Sequence, residues 1–474
     1  MRTVNLSCAA ALLIAVAATF AKPPILTPPD APVLGEVEPF LLQSLLDGEP
    51  LGKDAGIKDL QGVEEYGKLV TKHGLQLFGG PMLGDLSDRG GAVWLRTAVP
   101  ADKIEMLIGD KVVASGRTRL EADLATVLRF DGLEPATEYR YDIAIGGERV
   151  FGAEDKRPKF KTYPARGQAA RFEVTFGGGA RYNHPKERIW DTIAKREPAA
   201  FLWLGDNIYI DDPKSRTRQR VYYYRRQLRP EFRRMSASSA QYSIWDDHDF
   251  GANDVSGGIE IDKPAWKIPV WRVFQENWAN PGYGGGEKQP GCWYSFHIGD
   301  VDFFMTDGRY YRDFKGAQTM LGDAQKKWLL AALKASKGTF KVIASGTLWT
   351  EHADKGGADS WWGVKKEREE ILSLIDRENI GGVILLSADR HRTDVYQIHR
   401  PEGYTIYEFE TSKLTNDHTH GTKKEALFSY NKGNYFGALD FDLTKDNPEM
   451  TFRCVTIEGK EVYSLTLKRS MLQK

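Results

Sequence analysis

The sequence predicts an α/β core of two packed sheets flanked by helices, preceded by a small β-sandwich. Three observations carry this. From about residue 171 to 390, apolar strand-like runs alternate with runs of helical spacing, the rhythm of a layered α/β fold. Residues 80–165 show only short alternating runs divided by Gly, Asp and Pro. The composition, 41% hydrophobic and 27% charged over 474 residues, is that of a globular chain long enough for more than one core.

Taken in order, the chain begins with Arg2, an apolar run from Cys8 to Phe20, and Ala21 before Lys22 and Pro23, which reads as a cleaved export leader over residues 1–21. The run is too short to span a bilayer comfortably. A secreted or periplasmic protein without stable membrane insertion is expected, keeping Cys292 and Cys454, enough for one bridge at most. Residues 22–78 read as a Pro-rich linker and a helical arm, with helical spacing at Phe40–Leu46 and Val63–Leu69. Residues 79–165 supply the sandwich strands AVWLRTAV, KIEMLIG, LATVLRFDGL, EYRYDIAI and PKFKTY. LEPATEYRY places Leu133, Pro135, Thr137 and Tyr139 at the spacing of a tyrosine corner, and the region resembles an immunoglobulin or fibronectin type III domain.

Residues 170–470 form the α/β domain. FEVTF, AAFLWLG, YSIWDD, VDFFMTDG, FKVIASG and GGVILLSAD alternate with helical runs, and YTIYEFE, FGALDFDL, EMTFRCVTIEG and VYSLTL are expected to be antiparallel and to complete a second sheet. The basic, aromatic run RVYYYRRQLRPEFRR is expected to pack its rings on the sheet and keep its arginines wet or at the site mouth. With 65 basic and 65 acidic side chains, no global field draws the chain to nucleic acid or anionic membranes. A monomer without specific nucleic-acid binding is expected.

Four apolar runs stop at polar clusters. FLWLGDNIY gives Asp206, Asn207 and Tyr209; IWDDHDFGAND gives Asp246, Asp247, His248, Asp249, Asn253 and Asp254; VILLSADRH gives Asp389, Arg390 and His391; FFMTDGRYYRD gives Asp307, Arg309 and Arg312. Ligands of open α/β sheets bind beyond the carboxyl ends of the strands, so these clusters are predicted to share one crevice. Two carboxylates about 4 Å apart repel by roughly 4 kcal/mol at an effective dielectric of 20. Cations would offset that repulsion, and carboxylate, phenol, imidazole and amide oxygen are the donors of hard and borderline ions. His184 is read as a solvated loop residue, His418-Thr419-His420 as a loop rather than a ligand pair, and the Trp361-Trp362-Gly363 stretch as rim.

These residues carry a resemblance. GDNIY resembles the Gly-Asp-x-x-Tyr motif of binuclear metallophosphatases, DDHDFGAND the Asp-Asp-His-Asp/Glu motif of PhoD-like alkaline phosphatases and phosphodiesterases, and LLSADRH their Ser-Gly-Asp-x-His. NWANPGYG, FFMTDGRYYRD, MLGDAQKKWL, FKVIASG and ETSKLTN follow in the family order, so the likeness spans roughly residues 80–465. It implies a four-layer metallophosphatase-type core and hydrolysis of phosphate esters, mono- or diesters, by metal-activated water attacking phosphorus in line. Asp206 would bridge two ions; Tyr209 and His391 would bind an Fe(III)-like ion; Asp247 and Asp389, with Asn207 or Asn253 nearby, would hold Ca(II), with zinc or manganese as alternatives. His248 would stand beside the phosphate as acid or oxyanion partner, and Arg181, Arg309, Arg390 and Arg392 are candidates for its oxygens. VTFGGGARYNHP places Gly179 where the family often carries a cysteine ligand. Either the first ion differs, binds more weakly or takes a substitute such as His184 or water, or the chain is a catalytically silent phosphate- or ligand-binding protein of the same fold.

Overall fold

The structure is a computed structural model that describes residues 31–353 and 357–474; the leader-like segment 1–21 lies outside them. Helix α1 (Ala31–Leu41) and helix α2 (Glu64–Lys72) form the arm, whose Leu45, Ile57, Leu60 and Tyr66 are buried in one cluster with Val221 and Tyr224. Eight strands follow: β1 (Leu77–Gly84), β2 (Gly91–Thr97), β3 (Ile104–Ile108), β4 (Lys111–Gly116), β5 (Ala125–Phe130), β6 (Glu138–Ile145), β7 (Glu148–Arg149) and β8 (Lys159–Lys161). β1-β2-β5 make one antiparallel sheet and β4-β3-β6-β7 a second, with β8 beside β6. The period of two is visible in β5, where Val127 and Arg129 face out while Leu128 and Phe130 are buried. The Tyr139 hydroxyl accepts a hydrogen bond from the Glu134 N–H at 3.0 Å, the local tie its spacing predicts.

The remaining strands build two mixed sheets. β9 (Arg171–Gly177), β10 (Ala200–Leu204) and β11 (Ala240–Ile244) are parallel neighbours. β12 (Tyr294–Ile298), β13 (Val301–Met305), β14 (Phe340–Ala344), β15 (Val383–Ser387), β16 (Thr393–Ile398), β17 (Ile406–Thr411) and β18 (Phe428–Tyr430) form a seven-stranded sheet in the order 12-13-14-15-17-16-18. β19 (Tyr435–Asp442), β20 (Glu449–Thr456) and β21 (Glu461–Lys468) are antiparallel but extend the first sheet from the free edge of β9. They complete that sheet as antiparallel strands, as expected; β17, the YTIYEFE run expected with them, lies instead in the other sheet, antiparallel to β16 but parallel to β15. β19 joins β9 because β9 presents unpaired N–H and C=O groups on the side away from β10, and those groups need a partner whatever the local pattern of that partner.

Burial explains the rest. β10 and β15 are buried at every position, which is why they read as continuous apolar runs. Between the sheets, Phe409 of β17 stacks on Phe452 of β20 at 4.5 Å, and Phe441 of β19 meets Phe340 of β14 at 5.6 Å. On the other faces, Trp190 of α3 (Ile189–Ala194) lies 5.1 Å from Trp203 of β10, and Trp328, on a helix over Gly322–Ala335, lies 6.4 Å from Phe304 of β13. Helices α4 (Arg216–Gln227) and α5 (Pro230–Ser238) join α3 to the sandwich, where the Tyr141 hydroxyl donates to the Ala237 carbonyl at 2.9 Å. The Trp94 indole donates to the Glu276 carbonyl at 2.8 Å, so the two parts share buried polar bonds as well as apolar area. Cys292 and Cys454 are both buried and free. Among the described residues, no helix is long and apolar enough to cross a membrane.

Candidate metal centre

The turn after β10 is built around Gly205 (φ +100°) and Asp206 (φ +53°). A Cβ on Gly205 would lie 2.4 Å from the Asp246 Cβ, so only glycine lets this turn approach its neighbour. The turn leaves the Asp206 side chain buried, with Oδ2 accepting from the Tyr209 hydroxyl at 3.0 Å and Oδ1 without a hydrogen-bond partner among the described residues. After β15, Asp389 (φ +85°) and His391 (φ +47°) also take left-handed backbone, a strain that persists where surrounding structure imposes it. His391 Nε2 then sits 3.3 Å from Tyr209 Oη and 4.0 Å from Asp206 Oδ2.

The acidic run after β11 divides its charges. Helix α6 (Asp247–Phe250) opens there, and Asp249 accepts the N–H of Asp246 at 3.0 Å and of Ile208 at 2.8 Å. Asp246 is met by the Arg309 guanidinium. Asp247 is turned to the site: one ligand atom of each of Asp206, Asp247 and His248 lies within 4.8 Å of the others. Like charges therefore stand side by side because two of them are spent on local partners. Asn207 is oriented in the same way, its amide N–H donating to the Ile244 carbonyl at 2.8 Å while its Oδ1 is buried without a partner among the described residues.

The electrostatics follow the geometry. Burial, reinforced by Asp247, Asp246, Asp249 and Asp389, holds the Asp206 carboxyl well above the usual carboxylate range. Burial, with His418, His420, His248 and Arg390 adding to it, pushes His391 down to about 3, so its imidazole is a neutral nitrogen donor. At His248 burial disfavours the charged ring, but Asp211, 2.5 Å from Nδ1, together with Asp247 and Asp246 outweighs it and the pKa lies above the ordinary value. The His248 ring is stacked on Tyr209 with centroids 4.3 Å apart. Orphaned buried acceptors on Asp206 and Asn207, beside the neutral His391 Nε2, carboxylates and a phenol, fit cations.

Several expected groups lie elsewhere. Arg309 is 0% exposed and spends its fork on Asp246 and Asp359, so it is a buried clamp and not a phosphate contact. Arg392 pairs with Asp394 beneath the site. Arg181 is exposed, its guanidinium 5.9 Å from the Tyr209 ring centroid, and Arg390 is buried with Nη2 3.3 Å from His420 Nδ1. Asn253 is exposed, and its neighbour Asp254 gives a backbone N–H to Asp247 at 2.6 Å. Gly179 (φ +66°) backs onto His391: a Cβ there would meet Lys413 N at 2.9 Å and the His391 ring at 3.1 Å. His184 is exposed, as expected. Arg226 of α4 is not wet as expected; it is buried and bonds Glu187 and the carbonyls of Ala180 and Asn207, stapling two site loops together. Asn416 was not singled out from the sequence, although it lies in the quoted ETSKLTN; it donates to Tyr209 Oη at 2.7 Å.

Two mixed sheets with turn-borne carboxylates, phenol and imidazole at one mouth define a metallophosphatase-like protein. The fold is shared with a solved structure of PhoD (TM-score 0.70, 17% identity, 84% of this chain and 92% of that one). It is also shared with a purple acid phosphatase from yellow lupin (Lupinus luteus) seeds (TM-score 0.58, 12% identity, 82% and 75%). The chain belongs to the PhoD-like phosphatase family, whose model matches residues 174–468. Residues 74–164 match a domain of unknown function (DUF7800). Alkaline phosphatase D of Bacillus subtilis (strain 168) is 23% identical over 399 residues, a match that covers 72% of this chain and 65% of that relative's length.

Proposed function

We propose that the protein is a metal-dependent hydrolase of phosphate esters, a phosphomonoesterase or phosphodiesterase of the alkaline phosphatase D type. The observation that carries this is the meeting of Asp206, Tyr209 and His391 with Asp247 and His248 at one mouth, from segments up to 185 residues apart. Asp206 would bridge two ions, with Tyr209 and His391 on one side and Asp247, Asp389 and Asn207 on the other. Fe(III) and Ca(II) are the ions the donors suit first, with zinc or manganese as alternatives. When bound, the ions would lower the pKa of a water and neutralise charge on the attacking and leaving oxygens.

The chain's own groups do the rest. His248, whose pKa the neighbouring Asp211 helps raise, would hand a proton to the departing alkoxide, help worth about 10² to 10⁴ in rate. Tyr209 holds the His248 ring by stacking, and Asn416 fixes the Tyr209 oxygen. Arg181, exposed and 5.9 Å from the Tyr209 ring centroid, would meet phosphate oxygens, with Arg390, 4.0 Å from Asp389, as a second candidate. We read residues 79–165 as an immunoglobulin or fibronectin III-like domain, residues 170–470 as the catalytic domain, and the leader-like residues 1–21 as the sign of export.

The test is elemental analysis of purified protein beside release of p-nitrophenol from mono- and bis-p-nitrophenyl phosphate, with and without chelator. Bound metal with chelator-sensitive turnover is expected. Bound metal with no turnover of either ester would instead favour the silent binding protein, and absence of metal would overturn the centre itself.

A further inference from the structure

The loop after β17 carries His418-Thr419-His420, and folding lays it over His391. One ring nitrogen of each of His391, His418 and His420 lies within 4.8 Å of one on each of the other two. His418 stands edge-on to both neighbours, 5.3 Å from His391 at 81° and 4.6 Å from His420 at 90°. The loop is held in place by its own bonds. The buried Asn416 accepts the His418 N–H at 2.9 Å and donates to Tyr209 Oη at 2.7 Å; the Thr419 hydroxyl donates to the His391 carbonyl at 3.1 Å.

Three imidazoles gathered this way repel when protonated, and when neutral each has one nitrogen lone pair that a shared cation could use. His391 turns Nε2 to the centre, 3.3 Å from Tyr209 Oη and 4.0 Å from Asp206 Oδ2. His420 Nδ1 faces Arg390 Nη2 at 3.3 Å and accepts there. No hydrogen bond ties the His418 ring among the described residues, so its nitrogens remain open to another partner.

We propose that His418 donates a ring nitrogen to the ion held by His391, Asp206 and Tyr209, with His420 and Arg390 as the positioning pair behind it. That end of the site is then nitrogen-rich, which favours zinc there over the Fe(III) that the phenol and carboxylate suit. The inference rests on the metal-centre reading above and adds a ligand to it.

Full-length protein stripped with chelator is titrated with Zn(II) against a chromogenic competitor, and with Co(II) while visible absorption is followed. His418→Ala should weaken one equivalent of Zn(II) by at least about tenfold and alter the Co(II) bands, as loss of a ligand or its support does. His184→Ala, an exposed loop histidine, should change neither. Unchanged affinity and spectrum in His418→Ala, while Asp206→Asn is weakened, would overturn the added ligand alone. Unchanged binding in Asp206→Asn as well would overturn both it and the centre.

Discussion

Asp206 concentrates the chemistry of the site in one carboxyl, buried among four other acids and bonded to the Tyr209 phenol. Asp206→Asn keeps the shape and removes the charge that would join two cations, so ester hydrolysis should fall to background in the p-nitrophenyl phosphate assay. Cys292→Ser should retain turnover, because the buried Cys292 bonds through its N–H to Asp307 at 3.0 Å and to no site ligand. His248 supplies the pH dependence. Its pKa is raised, so the protonated ring persists above its ordinary value and is lost as pH rises through the folded-state value. Asp211→Asn removes the partner that raises it, and the alkaline limb of the kcat/KM profile should move to lower pH. A limb that stays in place would remove His248 from the acid role.

At the scale of elements, the β11–α6 junction shows how an acidic run becomes tolerable. Asp249 is consumed by backbone N–H groups, Asp246 by Arg309, and Arg309 in turn by Asp359 on a distant loop. Arg309→Ala would leave Asp246 buried without its counter-charge, while Asp359 keeps Arg312, a loss of about 3–5 kcal/mol that urea denaturation would read. The Tyr139 tie of the sandwich is a lesser contribution. Tyr139→Phe removes one hydrogen bond and should cost about 1 kcal/mol, with metal content and turnover unchanged. Changed turnover in that variant would mean that the sandwich reaches into the chemistry.

For the whole molecule, the buried Asp206 and Asp247 beside the half-buried Asp389 would make metal and fold interdependent. An ion present at 100 times its Kd stabilises the folded state by about 2.7 kcal/mol, so chelation should lower Tm as well as abolish turnover. A Tm indifferent to chelator would contradict that linkage. The sequence by itself determined the strand-and-helix alternation, the Tyr139 tie and the motifs at the ends of β10, β11 and β15, because an apolar run that stops at polar residues is a local signal that places those residues at a strand's carboxyl end. Only the tertiary structure decided that β19 closes the open edge of β9, that Arg309 points inward, and that His418 and Asn416 come to rest over His391. Those pairings join groups as much as 271 residues apart in register, such as Asp442 with Arg171, and which side chains meet across such a distance depends on the path of the chain, which no local pattern of polarity encodes.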